Sequence, residues 1–74
     1  MTKYTIKFFG HIGVRPLEYQ EDFMNDVWAL KAVERSMSHY YPVYQTAAVW
    51  KHDGEDTKLI GEYTARVEIV RKEA

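Results

Sequence analysis

The spacing of apolar residues changes along the chain, and this change predicts the order of the elements. From Lys3 to Phe9 apolar and polar side chains alternate, which predicts a strand whose core face carries Tyr4, Ile6 and Phe8. Between Leu17 and Tyr41 apolar side chains return every three or four positions, which is typical of a helix. The predicted inner face of this helix carries Tyr19, Phe23, Val27, Leu30, Val33, Met37 and Tyr40.

Both ends of the predicted helix have signals of their own. Pro16 suits a first turn, and the acidic residues that follow it would lie at the positive end of the helix dipole. An alternative start lies near Phe23, with Asp22 as the cap. Pro42 favours an extended Tyr41, so the helix is expected to end by that residue.

The second half of the chain predicts a hairpin. Its first strand is expected from Val43 to His52, its tip at Asp53-Gly54, and its second strand from Thr57 to about Arg71. A loop of two or four residues would give Leu59 and Tyr63 the same face as Tyr44, Thr46, Ala48 and Trp50. A three-residue bulged loop would instead give them the face of Val43, Ala47 and Val49. The first register is the preferred one.

These elements predict a single α+β domain over residues 1–74 with the order β-α-β-β. The helix would pack on one face of a three-stranded, mostly antiparallel sheet of order 1-3-2, in which the long third strand is central. The other face and both edges of such a sheet would be uncovered. An arrangement of this kind commonly closes by self-association, so we expect a homo-oligomer, for example a homodimer.

Composition narrows the class of protein. The formal net charge is −1, so the excess of basic residues expected of a nucleic-acid-binding protein is missing. No apolar run is long enough to span a bilayer, and Met1-Thr2-Lys3 leads directly into the first strand without a signal-peptide core. The sequence has no cysteine, which indicates a reducing compartment, and we expect a cytoplasmic protein.

Catalytic and metal-binding patterns are missing from the sequence. Ser36, Ser38 and His39 are too close together on one predicted helix to form a triad. The three histidines lack the spacing of metal ligands, so we expect no metal and no cofactor. Gly10 and Gly13 lie between a predicted strand and a predicted helix, but they lack the remainder of a phosphate-binding motif and indicate a plain loop. We therefore expect a protein that is not an enzyme.

Trp28 is the most informative residue for function. It projects to the side of the helix opposite the apolar face, with Met24 one turn earlier and with Lys31 and Arg35 beside it. An aromatic anchor with a charged rim is typical of a protein interface. The alternatives are a helix rotated from this projection, or a Trp28 that folds over the end of a strand and is merely structural.

A second candidate surface is acidic and comprises Asp53, Glu55, Asp56 and Glu62. It could imitate nucleic-acid phosphates towards a basic partner, although ordinary solubilising charge is the preferred interpretation. The acidic hairpin tip lacks the ligand spacing of a calcium-binding loop.

Together these features favour a small non-enzymatic protein-binding module. Such a module would be typical of an accessory protein of a phage or mobile element that inhibits or modulates a larger host protein. The alternatives are a homo-oligomeric structural or regulatory subunit, and a nucleic-acid binder with RRM-like topology in which an outward Phe9 stacks on bases.

Overall fold

The computed structural model describes residues 1–65 and 69–72, and in these ranges it contains five strands and one helix. The elements in chain order are β1 (Thr2–Gly10), β2 (Leu17–Phe23), α1 (Asp26–Tyr40), β3 (Tyr44–Asp53), β4 (Asp56–Ala65) and β5 (Ile69–Lys72). The strands form one antiparallel sheet with the order β2-β1-β3-β4-β5. The helix α1 packs on one face of this sheet.

The predicted three-stranded sheet of order 1-3-2 is therefore wrong. The first strand pairs with β3, and the pairing is antiparallel, so no parallel crossover is formed. The central strand is β3 and not the last predicted strand. The error follows from one missed element, since β2 reverses the chain direction before the helix begins.

The segment that forms β2 was predicted as the first two turns of the helix. Its apolar residues Leu17, Tyr19 and Phe23 satisfy both a helical spacing and a strand alternation, because Glu18, Gln20 and Asp22 separate them. The segment forms a strand because it pairs with β1. This pairing places Glu18 opposite Lys7 and Asp22 opposite Lys3, so an acidic strand lies beside a basic one.

The helix begins later than either predicted start. Asn25 caps it, and its side-chain oxygen accepts a hydrogen bond from the backbone N–H of Trp28 at 3.1 Å. The predicted end is confirmed, since Tyr40 is the last helical residue and Tyr41 has extended backbone angles. The buried positions of α1 are Ala29, Leu30, Val33 and Met37.

Four of the residues predicted for the inner face of the helix differ from that prediction, since Tyr19 and Phe23 lie in β2 and two others within α1 are exposed. Val27 is 56% exposed, and Ala29 is buried in its place. Tyr40 is partly exposed, although its ring packs edge to face on Phe8 with 5.0 Å between the ring centroids. The buried face of α1 is therefore rotated about the helix axis, away from Val27 and towards Ala29, compared with the predicted inner face.

The long strand predicted from Thr57 to about Arg71 is two strands. β4 ends at Ala65, and β5 pairs back on it in antiparallel fashion, with Ala65 opposite Ile69. Residues 66–68, which fall inside the predicted strand, lie outside the described residues. A continuous period-two pattern does not show where a strand turns.

The hairpin register is a mixture of the two alternatives. Gly54 and Glu55 form a two-residue loop, and a positive φ of 63° at Gly54 suits the first central position of a hairpin turn. Trp50 then pairs with Leu59, as in the preferred register. A bulge at Ile60 shifts the remainder, so that Ala47 pairs with Tyr63 on the helix-facing side.

The preferred register is consequently wrong for the first half of β3. Thr46 and Ala48 lie on the side away from the helix, whereas Ala47 and Val49 are in the core. Tyr44 returns to the helix-facing side through a second bulge opposite Gly10, and its ring packs near Phe8. The predicted core face of β1 is confirmed, since Tyr4, Ile6 and Phe8 are fully buried.

Candidate protein-interaction surface

The main candidate site surrounds Trp28 on the outer side of α1. We call it the Trp28 patch and define it as Met1, Phe23, Met24, Trp28, Lys31 and Arg35. Trp28 is 58% exposed and Met24 is 69% exposed, in agreement with the outward projection of the tryptophan. Met24 does not lie on the helix as expected, because it belongs to the turn between β2 and the cap Asn25.

The start of α1 fixes the position of this tryptophan. Asn25 binds the backbone N–H of Trp28 and so fixes where the first turn begins. Buried Ala29 and Leu30 follow directly and orient the helix on the sheet. Because residue 28 lies about 100° from residue 29 around the helix, its indole is directed away from the core.

Trp28 lies between two depressions of different character. One has an almost entirely apolar surface and is lined by Met1, Asp22, Phe23, Met24 and Trp28. The other is lined by Phe23, Trp28, Ala32 and the cations Lys31 and Arg35. The indole is thus shared by an apolar hollow and a basic one.

The two cations of the patch, Lys31 and Arg35, form no ion pair within the described part of the chain. Asp26, the acidic residue of the first turn, is directed inward, where it accepts a hydrogen bond from Tyr4 Oη at 2.6 Å and lies 3.6 Å from Lys51 Nζ. Both cations therefore remain available to an acidic group from outside.

The predicted acidic surface is not one surface. Asp53, Glu55 and Asp56 lie together at the exposed tip of the β3–β4 hairpin. Glu62 lies six residues further along β4, a separation of about 20 Å at the usual rise of a strand. The four side chains cannot act as a single acidic site.

The second candidate site is the sheet face opposite α1, which we call the open face. It carries Lys7 and Phe9 of β1, with Lys7 Nζ 5.2 Å from the centre of the Phe9 ring. Trp50 and Leu59 lie on this face as well, since they are paired with Thr5 and with each other. The preferred register gave Trp50 the same face as both Leu59 and Tyr63, whereas the bulge at Ile60 leaves Trp50 with Leu59 and moves Tyr63 to the other face.

The open face is where an RRM-like protein would stack bases, and Phe9 occupies it as expected. Its ring is partly buried, however, and acidic Glu18 and Glu62 lie on the same face. Acidic side chains repel nucleic-acid phosphates, so the electrostatics of this face do not favour that ligand.

The histidines are distributed over separate places. His11 Nε2 lies 2.9 Å from Gln45 Nε2, and the ring of His52 lies between the hydroxyls of Thr5 and Thr57. Within residues 1–65 and 69–72, no three metal-binding side chains come together. Gly10 and Gly13 connect β1 to β2, so the strand-to-helix context considered for a phosphate loop is wrong.

The described ranges contain no helix with the length and apolar composition needed to cross a bilayer. Comparisons with family models, with curated proteins and with solved structures gave no match.

Proposed function

We propose that the chain is a non-enzymatic binding module that docks a segment of a larger protein on the Trp28 patch. The observation that carries the proposal is the exposure of Trp28 between an apolar and a basic depression. In that role the module would inhibit or modulate the protein whose surface it covers. We also propose a cytoplasmic location, supported by a composition without cysteine.

The chemistry of the patch defines the partner. The apolar hollow beside Met24 suits a large aliphatic or aromatic side chain. Lys31 and Arg35 suit carboxylates placed next to that side chain. The occupant is therefore a protein segment that presents an apolar anchor flanked by acidic residues.

A capture experiment with matched variants tests the proposal. Immobilised wild-type protein, Trp28→Ala and the control Tyr41→Ala are incubated with lysate of the cells in which the protein occurs. Tyr41 is a good control because it is a second exposed aromatic residue and lies at the opposite end of α1. We expect a partner that binds wild type and Tyr41→Ala and is lost from Trp28→Ala.

Binding of the purified partner makes the test quantitative. Truncation of a central interface tryptophan costs about 2 kcal/mol or more, which is about a 30-fold rise in Kd. Lys31→Glu and Arg35→Glu should each weaken binding as well, and raising the salt concentration should weaken the wild-type complex. Equal capture by wild type and a correctly folded Trp28→Ala would exclude the patch, and so would a Trp28→Ala chain that does not fold.

A further inference from the structure

One row of side chains crosses all five strands on the open face. Lys7 of β1 lies directly opposite Glu18 of β2 on one side and Ala48 of β3 on the other. Ala48 is in turn opposite Glu62 of β4, and Glu62 is opposite Lys72 of β5. Directly opposite residues of antiparallel strands share a face. Read from β2 to β5, the row is acidic, basic, neutral, acidic and basic.

The charges of this row are complementary to those of the same row read in the opposite direction. Ala48 lies in its middle, on the central strand of the sheet. Reading the row from β5 to β2 exchanges the sign of every charged position. Two copies whose open faces meet across a two-fold axis along β3 would bring β1 against β4 of the second copy, and β2 against β5. Lys7 would then face Glu62 of the second copy, and Glu18 would face Lys72.

We propose that the open face is a homodimer interface and that its occupant is a second copy of this chain. The charge row fixes the orientation of the dimer. A two-fold axis perpendicular to the strands would place Lys7 against Lys7 and Glu62 against Glu62, which is repulsive. Only the axis along β3 matches opposite charges at both positions.

The neighbouring side chains suit the same arrangement. Ala48 places a single methyl group at the centre, so two sheets can approach to about 10 Å, the usual distance of packed sheets. Two residues further along β3, Trp50 would approach the same residue of the second copy. Thr5 would face Leu59 across the axis, because both pair with Trp50 within one chain.

The face is also large enough. Strand residues rise about 3.3 Å and strands lie about 4.8 Å apart, so the five strands project over about 600 Å². Because side chains project from the sheet, the solvent-accessible area of this face is larger than its flat projection. It approaches the roughly 800 Å² that each partner buries in a standard interface. The net charge of −1 per chain adds little repulsion between copies.

This dimer is independent of the Trp28 patch. The helix α1 covers the other face of the sheet, so both Trp28 patches of the dimer are directed outward. Dimerisation would leave them accessible and would make the module bivalent.

Charge reversal tests the interface through solution mass, measured by light scattering and analytical ultracentrifugation. Wild type is expected to be a dimer at about 100 μM, in a range where interfaces of this size are populated. Lys7→Glu places an acidic residue against Glu62 of the second copy twice per dimer, and Glu62→Lys creates the reciprocal repulsion. Each variant should raise the dimer Kd by at least about tenfold. Glu34→Lys is the matched control, because Glu34 is exposed on α1 and should leave the dimer unchanged.

Mixing the two variants gives the decisive measurement. A heterodimer of Lys7→Glu with Glu62→Lys has one native Lys7–Glu62 pair and one reversed pair, so it should form with near wild-type affinity. Any effect of a substitution on the fold of its own chain is the same before and after mixing, so it cannot explain a gain in dimer affinity on mixing. A wild-type chain that is monomeric overturns the proposal, including one that binds single-stranded RNA on Phe9. A dimer insensitive to both reversals, or variants that do not recombine, also overturns it.

Discussion

The hydroxyl of Tyr63 on β4 donates a hydrogen bond to the backbone carbonyl of Leu30 in α1 at 2.6 Å. Both residues are buried, and they are 33 positions apart in the chain. The contact connects the sheet to the second turn of the helix, the turn that follows Trp28. It therefore helps to orient the helix whose outer side carries the Trp28 patch.

Removing this hydroxyl should destabilise the fold measurably. Tyr63→Phe retains the ring and loses the donor, which for a buried hydrogen bond costs about 1 kcal/mol. For a domain of this size that corresponds to a fall in Tm of about 4–8 °C, measured by circular dichroism. Tyr41→Phe is the control, since Tyr41 is exposed and its Tm should not change. Equal melting of wild type and Tyr63→Phe would show that the bond contributes nothing.

The periodicity of apolar residues correctly predicted those features that depend only on residues close together in the chain. The alternation of β1 correctly identified Tyr4, Ile6 and Phe8 as buried, and Pro42 correctly marked the end of the helix near Tyr41. The outward position of Trp28 also followed from helical projection, because it depends only on the angle per residue. These features required no knowledge of pairing between strands.

Pairing between strands was the part that the sequence did not reveal. The alternation from Leu17 to Phe23 also fits a helix, and the bulge at Ile60 is indicated in the sequence only by the glycine that follows it, Gly61. Two signals were available for β2. Lys3 and Lys7 match Asp22 and Glu18 in reverse order, as an antiparallel partner requires, and Asn25 is a preferred N-cap.

Alkaline pH should weaken the fold through Tyr4. Burial and the hydrogen bond to Asp26 raise the pKa of Tyr4 to about 12, above its ordinary value of 10.0 in the unfolded chain. Because the folded state favours the neutral phenol, this contribution is complete below pH 10 and is lost as the pH rises through about 12. Denaturant unfolding of wild type and Tyr4→Phe across this range measures it.

The variant isolates that residue from other titrating groups. Tyr4→Phe should be less stable than wild type at neutral pH, because Asp26 loses its 2.6 Å donor. The difference between the two proteins should then shrink as the pH rises from 10 to about 12. Burial also raises the pKa of Tyr19, so both proteins should retain some common loss at high pH. A constant difference over the whole range would contradict the assignment to Tyr4.

Gly10 at the end of β1 should not tolerate a side chain. A Cβ atom there would overlap the backbone carbonyl of Val43 and would lie 2.9 Å from Cγ1 of Val14. Since the carbonyl belongs to the backbone, relief requires the strand to move, and overpacking of this kind costs about 1–3 kcal/mol. Gly10→Ala should lower the free energy of unfolding by that amount in urea titration.

Gly61 offers the matched comparison for that experiment. Its added Cβ would lie 2.8 Å from Cδ2 of Leu30, the end of a flexible side chain that can rotate away. Replacing glycine in a strand also recovers roughly 0.5–1 kcal/mol of chain entropy. Gly61→Ala should therefore cost clearly less than Gly10→Ala. The reverse order would mean that the β1–β3 junction is looser than its geometry shows.

Val27 and Leu30 of α1 should respond very differently to truncation, because only Leu30 is buried. The apolar spacing alone assigned both to the inner face, whereas the structure leaves Val27 56% exposed and Leu30 only 7% exposed. Leu30→Ala should cost about 2–5 kcal/mol, because it removes buried methyl groups and leaves a cavity. Val27→Ala should change stability by less than about 0.5 kcal/mol, since little apolar area is lost and alanine has the higher helix propensity. A large loss of stability in Val27→Ala would instead indicate that Val27 is buried, as the apolar spacing alone predicted.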